Sequence, residues 1–106
     1  MSYRYMRVIV MFDLPMQSSY DIRNYNQFRR YLIKMGFLMM QQSVYCKLAL
    51  NMSVVNSIVE NLRQNHPDKG LVEVFSLTEK QFSKIEFLVG ERDVDVISDD
   101  RRLVIL

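Results

Sequence analysis

The chain has 106 residues, a length that suits one domain with a single modest core. Apolar residues make up 49% of the sequence and charged residues 25%, which excludes a disordered chain and is typical of an ordinary globular protein. The formal net charge of +2 allows a polyanionic partner without requiring one, and the single cysteine, Cys46, excludes an internal disulfide and a multi-cysteine zinc site.

The sequence shows no targeting or membrane segment. Residues 1–7 lack the long apolar stretch and small-residue cleavage site of a secretory signal. No apolar run approaches the roughly 20 residues that a membrane-spanning helix needs. Because a single cysteine also favours a reducing compartment, we expect a cytoplasmic protein that does not contact a membrane.

The first predicted element is a strand over residues 8–12 that ends in a lone carboxylate, Asp13. An apolar run without polar alternation is typical of a central strand covered on both faces. Because an acid is costly to bury, we expect Asp13 where the strand emerges, and Pro15 then ends the strand. Asp13 is therefore either a site residue held by a rigid element or the first residue of an ordinary turn.

A helix is predicted next, from about Tyr20 to a C-terminal Gly36, with Ser18 or Ser19 as its N-cap. Its apolar side consists of Ile22, Tyr25, Phe28, Leu32 and Met35. The opposite side carries a basic stripe made of Arg23, Arg30 and Lys34, with Arg29 at its edge. Such a stripe is by default a solvated helix face, and it is also the kind of surface that binds a phosphate backbone.

Two strands and a second helix follow. The strands are predicted over residues 37–40 and 44–50, with the break at residues 41–43, and Cys46 is expected to be a small core residue. Ser53 is the predicted N-cap of the helix, whose apolar stripe runs from Val55 to Leu62. The polar run 65–70 ends the helix, and His66 within it is interpreted as a turn residue.

The last third of the chain predicts two more strands and an apolar end. A strand over residues 71–77 leads into a capping box from Thr78 to Gln81, which starts about one turn of helix. Alternation over residues 85–89 predicts a half-buried strand that ends at Gly90. A charge-rich stretch then leads to four apolar residues that need a cover, namely Leu103, Val104, Ile105 and Leu106.

This order of elements predicts an α+β protein with the ferredoxin-like βαββαβ arrangement, in which both helices cover one face of the sheet. Residues 1–90 form the predicted domain, and residues 91–106 form a tail with a terminal strand for contact with a dimer mate or partner. The other sheet face carries more apolar residues than one small core can use. Self-association through that face is the expected way to cover them.

Three motifs carry a resemblance to a known family. They are V-I-V-M-F-D-L-P around Asp13, G-F-x-x-x-Q-x-S-V-Y from Gly36 to Tyr45, and T-E-K-Q from Thr78 to Gln81. Each motif is weak alone, and their order and spacing in so short a chain are more specific. The chain resembles the CRISPR-associated protein 2 family, and it is most similar to members from type II systems.

The resemblance implies a ferredoxin-like homodimer whose two sheets face each other. It implies that Asp13 lies near its symmetry mate, where the pair could bind Mg²⁺ or Mn²⁺ for phosphodiester cleavage. It also implies that the dimer bridges two dimers of the CRISPR-associated protein 1 integrase and supports double-stranded DNA, both prespacer and repeat.

Two functions follow as hypotheses. The first is a structural subunit of spacer acquisition, with DNA contacts at Ser18, Ser19, Arg23, Arg29, Arg30 and Lys34 and partner contacts at Leu103 to Leu106. The alternative is a magnesium-dependent endonuclease that cleaves RNA or DNA with Asp13 from both protomers. A small-molecule regulatory domain of the same fold has no ligand motif in the sequence to support it.

Overall fold

A computed structural model describes residues 5–91 of the chain. Of the predicted tail, residues 91–106, only residue 91 is described. The residues assigned to partner contact, Leu103 to Leu106, therefore lie outside the described residues. In chain order the elements are β1 (Met6–Asp13), α1 (Ser19–Lys34), β2 (Leu38–Gln41), β3 (Val44–Ala49), α2 (Met52–Gln64), β4 (Leu71–Thr78) and α3 (Glu79–Phe82).

The four strands form one antiparallel sheet in the order β2-β3-β1-β4. β1 is central, so that Val10 lies opposite Tyr45 of β3 on one side and Val74 of β4 on the other. This strand order with two crossover helices is the ferredoxin-like arrangement, and the predicted α+β fold is confirmed. No helix of the described residues has both the length and the apolar character needed to cross a bilayer.

The core lies between the sheet and the first two helices. Alternate residues of β1 point into it and meet the apolar stripes of both helices in a cluster that includes Val8, Val10, Phe12, Phe28, Leu32, Val55, Ile58 and Leu62. The ring of Phe12 lies 5.5 Å from that of Tyr25, 5.2 Å from that of Phe28 and 5.8 Å from that of Tyr45. These distances are in the favourable range for aromatic pairs, so Phe12 ties β1 to α1 and to β3.

Helix ends follow local sequence closely. The Ser18 hydroxyl accepts from the amide of Asp21, and the Asp21 carboxylate accepts from the amide of Ser18, which makes a reciprocal capping box. Gly36 follows α1 with a φ of +97°, a conformation that favours glycine. Thr78 and Gln81 form the second capping box as predicted.

Two details of the sequence prediction are wrong. The N-cap of α2 is Asn51, whose side-chain oxygen accepts from the amide of Val54 at 3.0 Å, so Ser53 lies inside the helix. Asparagine caps a helix as well as serine does, and it stands where the chain leaves β3. Residues 85–89 do not form a strand, because α3 turns the chain away from β4 and the segment pairs with no other described strand. Leu88 and Val89 are 91% and 95% exposed.

Candidate functional site

Asp13 occupies the end of β1, where it lies opposite Leu71 of β4. Strand alternation assigns its side chain to the sheet face opposite α1 and α2, which we call the open face. The same alternation assigns Ile9 and Met11 to this face. Asp13 is exposed, so the strand presents a solvated carboxylate at the rim of the open face, as the cost of burying an acid predicts.

The backbone around Asp13 is held from both sides. Leu14 is buried directly after it, and the loop before β4 approaches closely at Gly70. A Cβ atom on Gly70 would lie 2.7 Å from the carbonyl oxygen of Asp13 and 2.8 Å from Leu14 Cδ2, and the φ of Gly70 is +89°. Only glycine fits this position without a shift of the chain that carries Asp13.

The described residues offer few ligands for a metal ion at Asp13. Among them, no group of three or more His, Cys, Asp or Glu side chains is close enough to hold one. Glu73 is exposed on the same face, diagonally across from Asp13 in the register of β1 with β4. Magnesium accepts carboxylate, water and phosphate oxygens, so the donor type fits, and further ligands would come from outside the described residues, for example from a second protomer, water or substrate.

The basic stripe lies elsewhere. Arg23, Arg30 and Lys34 are exposed on α1, which packs on the sheet face away from the open face. Arg29 is half-buried, and helical geometry turns it about 100° away from Arg30. The structure therefore separates the predicted phosphate-binding residues from the predicted metal ligand.

The start of α1 is partly occupied by its own cap. Asp21 Oδ2 accepts from the amides of Gln17 and Ser18, each at 3.2 Å. Ser18 is therefore engaged in capping, while Ser19 is the first helical residue and is exposed. A phosphate at this helix end would have to compete with the Asp21 carboxylate.

An ion pair on the open face was not predicted from the sequence. The Arg7 guanidinium donates to both carboxylate oxygens of Glu79, at 2.8 and 3.0 Å, and to Cys46 Sγ at 3.6 Å. Its Cζ lies 4.4 Å from the centre of the Phe82 ring. Burial alone lowers the pKa of Arg7, and its hydrogen bonds to Glu79 and Cys46 more than reverse this, so that the pKa is raised above its ordinary value.

The signal for this pair was present in the sequence. An arginine at the start of a buried strand needs a carboxylate partner, and Glu79 follows the end of the strand that pairs antiparallel with β1. The pair joins α3 to the sheet and places Phe82 over one end of the open face. One end of the open face is therefore covered by Phe82, which the sequence did not predict.

Comparison with known proteins decides the family. The family model described as CRISPR associated protein Cas2 matches residues 6–85. The chain belongs to the Cas2 family. The resemblance found in the sequence is thereby confirmed, and the match spans β1 through α3, including Asp13.

Individual relatives are similar in sequence to this chain along nearly its whole length. A protein from Treponema denticola named CRISPR-associated endoribonuclease Cas2 is 50% identical over 101 residues, which cover 95% of this chain and 100% of the relative. A Streptococcus mutans protein of the same name is 43% identical over 95% of this chain and 93% of its own. A solved structure described as the crystal structure of Cas2 matches with a TM-score of 0.55 and 19% identity, over 84% of this chain and 90% of the other, which supports the fold.

Proposed function

We propose that this Cas2-family protein is a homodimeric subunit of CRISPR spacer acquisition that bridges two dimers of the CRISPR-associated protein 1 integrase and supports double-stranded prespacer and repeat DNA. The observation that carries the proposal is the open face of the sheet. Exposed apolar side chains remain there on both outer strands, including Leu38 of β2 and Leu71 and Phe75 of β4. A second copy of the same sheet would cover them.

The segment after α3 adds to this surface. Ile85, Phe87, Leu88 and Val89 are exposed, and three of them, Ile85, Phe87 and Val89, alternate with other residues as in a strand with one apolar side. Exposed apolar side chains of this kind are covered when another chain packs against them. Their exposure therefore supports an intermolecular role for residues 85–89.

The DNA contacts are assigned to α1. Arg23, Arg30 and Lys34 point away from the core on the layer that a dimer through the open face leaves exposed. Contacts with phosphates do not depend on sequence, which suits a platform for many different spacers. The contributions of Ser18, Ser19 and Arg29, and of Leu103 to Leu106 toward the integrase, stay predictions.

The experiment is reconstitution with the integrase. Phe75→Glu places a charge on the open face, where the Phe75 side chain is 42% exposed, and we expect it to abolish co-elution with the integrase. Ile22→Glu is the matched control, because Ile22 is 43% exposed but lies on α1. Equal complex formation by both variants would contradict the bridging role.

A metal-dependent endonuclease is the second candidate. The names of the T. denticola and S. mutans relatives favour it, as does the exposed Asp13 carboxylate on the face assigned to the dimer. A Mg²⁺ or Mn²⁺ ion held by the two Asp13 side chains would polarise a phosphodiester and activate water. The residues of this chain would supply oxygen ligands of the right type and hold them on rigid strand ends.

This activity is tested with labelled RNA and DNA. We expect Asp13→Asn to remove Mg²⁺-dependent cleavage, and Glu73→Gln, the nearby carboxylate on the same face, to keep at least half of it. Cleavage by Asp13→Asn at the parental rate would rule out the proposed metal site, and the bridging role would be unaffected.

A further inference from the structure

A polar groove with aromatic walls lies on the helical layer, away from the open face. It runs between α1 and the loop that joins α2 to β4, and it encloses about 360 Å³. That volume is within the range of small-molecule sites. The side chains that matter for its chemistry are Tyr20, Asn24, Gln27 and Tyr31 on α1 and His66 and Asp68 on the loop.

The two tyrosine rings are held in place at their hydroxyl ends. The Tyr20 hydroxyl donates to Asp68 Oδ2 at 3.1 Å, and the Tyr31 hydroxyl donates to the carbonyl oxygen of Asn61 at 3.3 Å and also to its side-chain oxygen. Lys69 Nζ lies 5.6 Å from the centre of the Tyr20 ring. Anchored rings make good stacking surfaces, because little side-chain freedom is lost when a planar ligand binds.

Amides stand between the rings. Asn24 and Gln27 follow Tyr20 at four and seven positions, so all three side chains lie along one edge of α1 together with Tyr31. A carboxamide offers one acceptor and two donors in a plane, which is the pattern that reads the edge of a nucleobase. Aromatic faces combined with such amides suit a flat, heteroaromatic ligand.

The basic stripe adjoins this edge. Gln27 is four residues after Arg23 and three before Arg30, so it shares the helix surface with both arginines. A strand whose phosphates contact the arginines would therefore have its bases beside the groove. We propose that the groove binds an unpaired nucleobase of a single-stranded extension, while the adjoining backbone lies on Arg23 and Arg30. This proposal rests on the nucleic-acid binding proposed above and adds a site for unpaired bases.

The test compares blunt duplexes with duplexes that carry a single-stranded overhang, in DNA and in RNA, by fluorescence anisotropy on the full-length protein. We expect the overhang to tighten binding roughly fivefold or more, the usual effect of one stacked base. Tyr20→Leu is expected to remove this gain and leave blunt binding unchanged. Tyr20→Phe loses only the bond to Asp68 and is expected to keep most of the gain.

A second measurement needs no variant. An overhang carrying 5-iodouracil is irradiated on the parent protein, and crosslinked peptides are mapped by mass spectrometry. Crosslinks to Tyr20 or Tyr31 are expected. Equal binding of blunt and overhang duplexes, or crosslinks confined to other regions, would refute nucleobase binding in the groove. Neither result would affect the proposed bridging function. A parent protein that binds no nucleic acid at all would overturn both the groove and the proposed support of DNA.

Discussion

Arg7 at the start of β1 and Glu79 at the start of α3 form a partly buried, bidentate ion pair, with both contacts at 3.0 Å or shorter. The two residues are 72 positions apart, and the antiparallel pairing of β1 with β4 brings them together. Arg7 is only 4% exposed, and Glu79 supplies a counter-charge for it. The pair fixes α3, and with it the start of the segment that we assign to the dimer.

Removing one partner of this pair is expected to be costly. Glu79→Gln removes the Glu79 charge from its contact with the buried Arg7 guanidinium, and we expect a loss of about 3 kcal/mol in the free energy of unfolding. The double variant Arg7→Leu/Glu79→Leu is expected to lose less, because no buried charge is left behind. Urea unfolding of the two variants checks this order. A Glu79→Gln variant as stable as the parent would show that the pair does not hold α3.

Gly70 is expected to control the position of Asp13. Gly70→Ala puts a Cβ atom against the Asp13 carbonyl and strains a positive φ, so we expect a loss of about 2 kcal/mol. Gly90→Ala is the control, because Gly90 also has a positive φ but no atom of the described residues lies within 4 Å of the added Cβ. The close contact predicts that Gly70→Ala is the less stable of the two by urea unfolding, and equal losses would argue against it.

Binding of DNA to α1 should depend on salt in proportion to the phosphates contacted. The slope of log K against log salt concentration is negative, and each contact removed makes it less steep by about 0.9. We expect Arg23→Ala and Arg30→Ala each to make the slope less steep by about that amount on a blunt duplex. Arg63→Ala on α2, where Arg63 pairs with Glu60, serves as the control and should leave the slope unchanged. Equal slopes for all three variants would place the DNA elsewhere.

The Tyr31 phenol is expected to make the stability of the fold depend on pH in the alkaline range. Burial raises the pKa of Tyr31 above its ordinary value of 10.0, and the hydrogen bond with Asn65 lowers it in part. Because the folded-state pKa is the higher one, this contribution to stability is complete below about pH 10 and is lost as the pH rises through the folded value. We expect Tyr31→Phe to lose less stability than the parent between pH 9 and about pH 11, measured by urea unfolding. An identical pH profile would refute the assignment.

The sequence predicts well wherever local chemistry decides the structure. The N-cap at the start of α1, predicted at Ser18 or Ser19, the capping box at Thr78 and the apolar run of β1 are local patterns, and the structure contains each of them. The N-cap of α2 was misplaced because Asn51 and Ser53 are both good caps and only the path of β3 chooses between them. Such a choice is tertiary and cannot be read from propensity.

The larger differences between the sequence prediction and the structure involve groups that are distant in sequence. The Arg7 to Glu79 pair requires knowledge of which strands are neighbours, and the approach of Gly70 to Asp13 requires the register of β4. Residues 85–89 carry a strand pattern without a strand, because the backbone partner is absent from the described part of the chain. The position of Asp13 at a strand end was predictable, whereas the other ligands of the proposed metal site would come from outside the described residues.

Both proposed functions require that two chains associate through the open face. Sedimentation equilibrium of the free protein measures this association, with Phe75→Glu and Ile22→Glu as the variant and its control. We expect the parent and Ile22→Glu to sediment with twice the mass of one chain, and Phe75→Glu to sediment as a single folded chain. A monomeric parent, or a Phe75→Glu variant that stays dimeric, would refute association through this face.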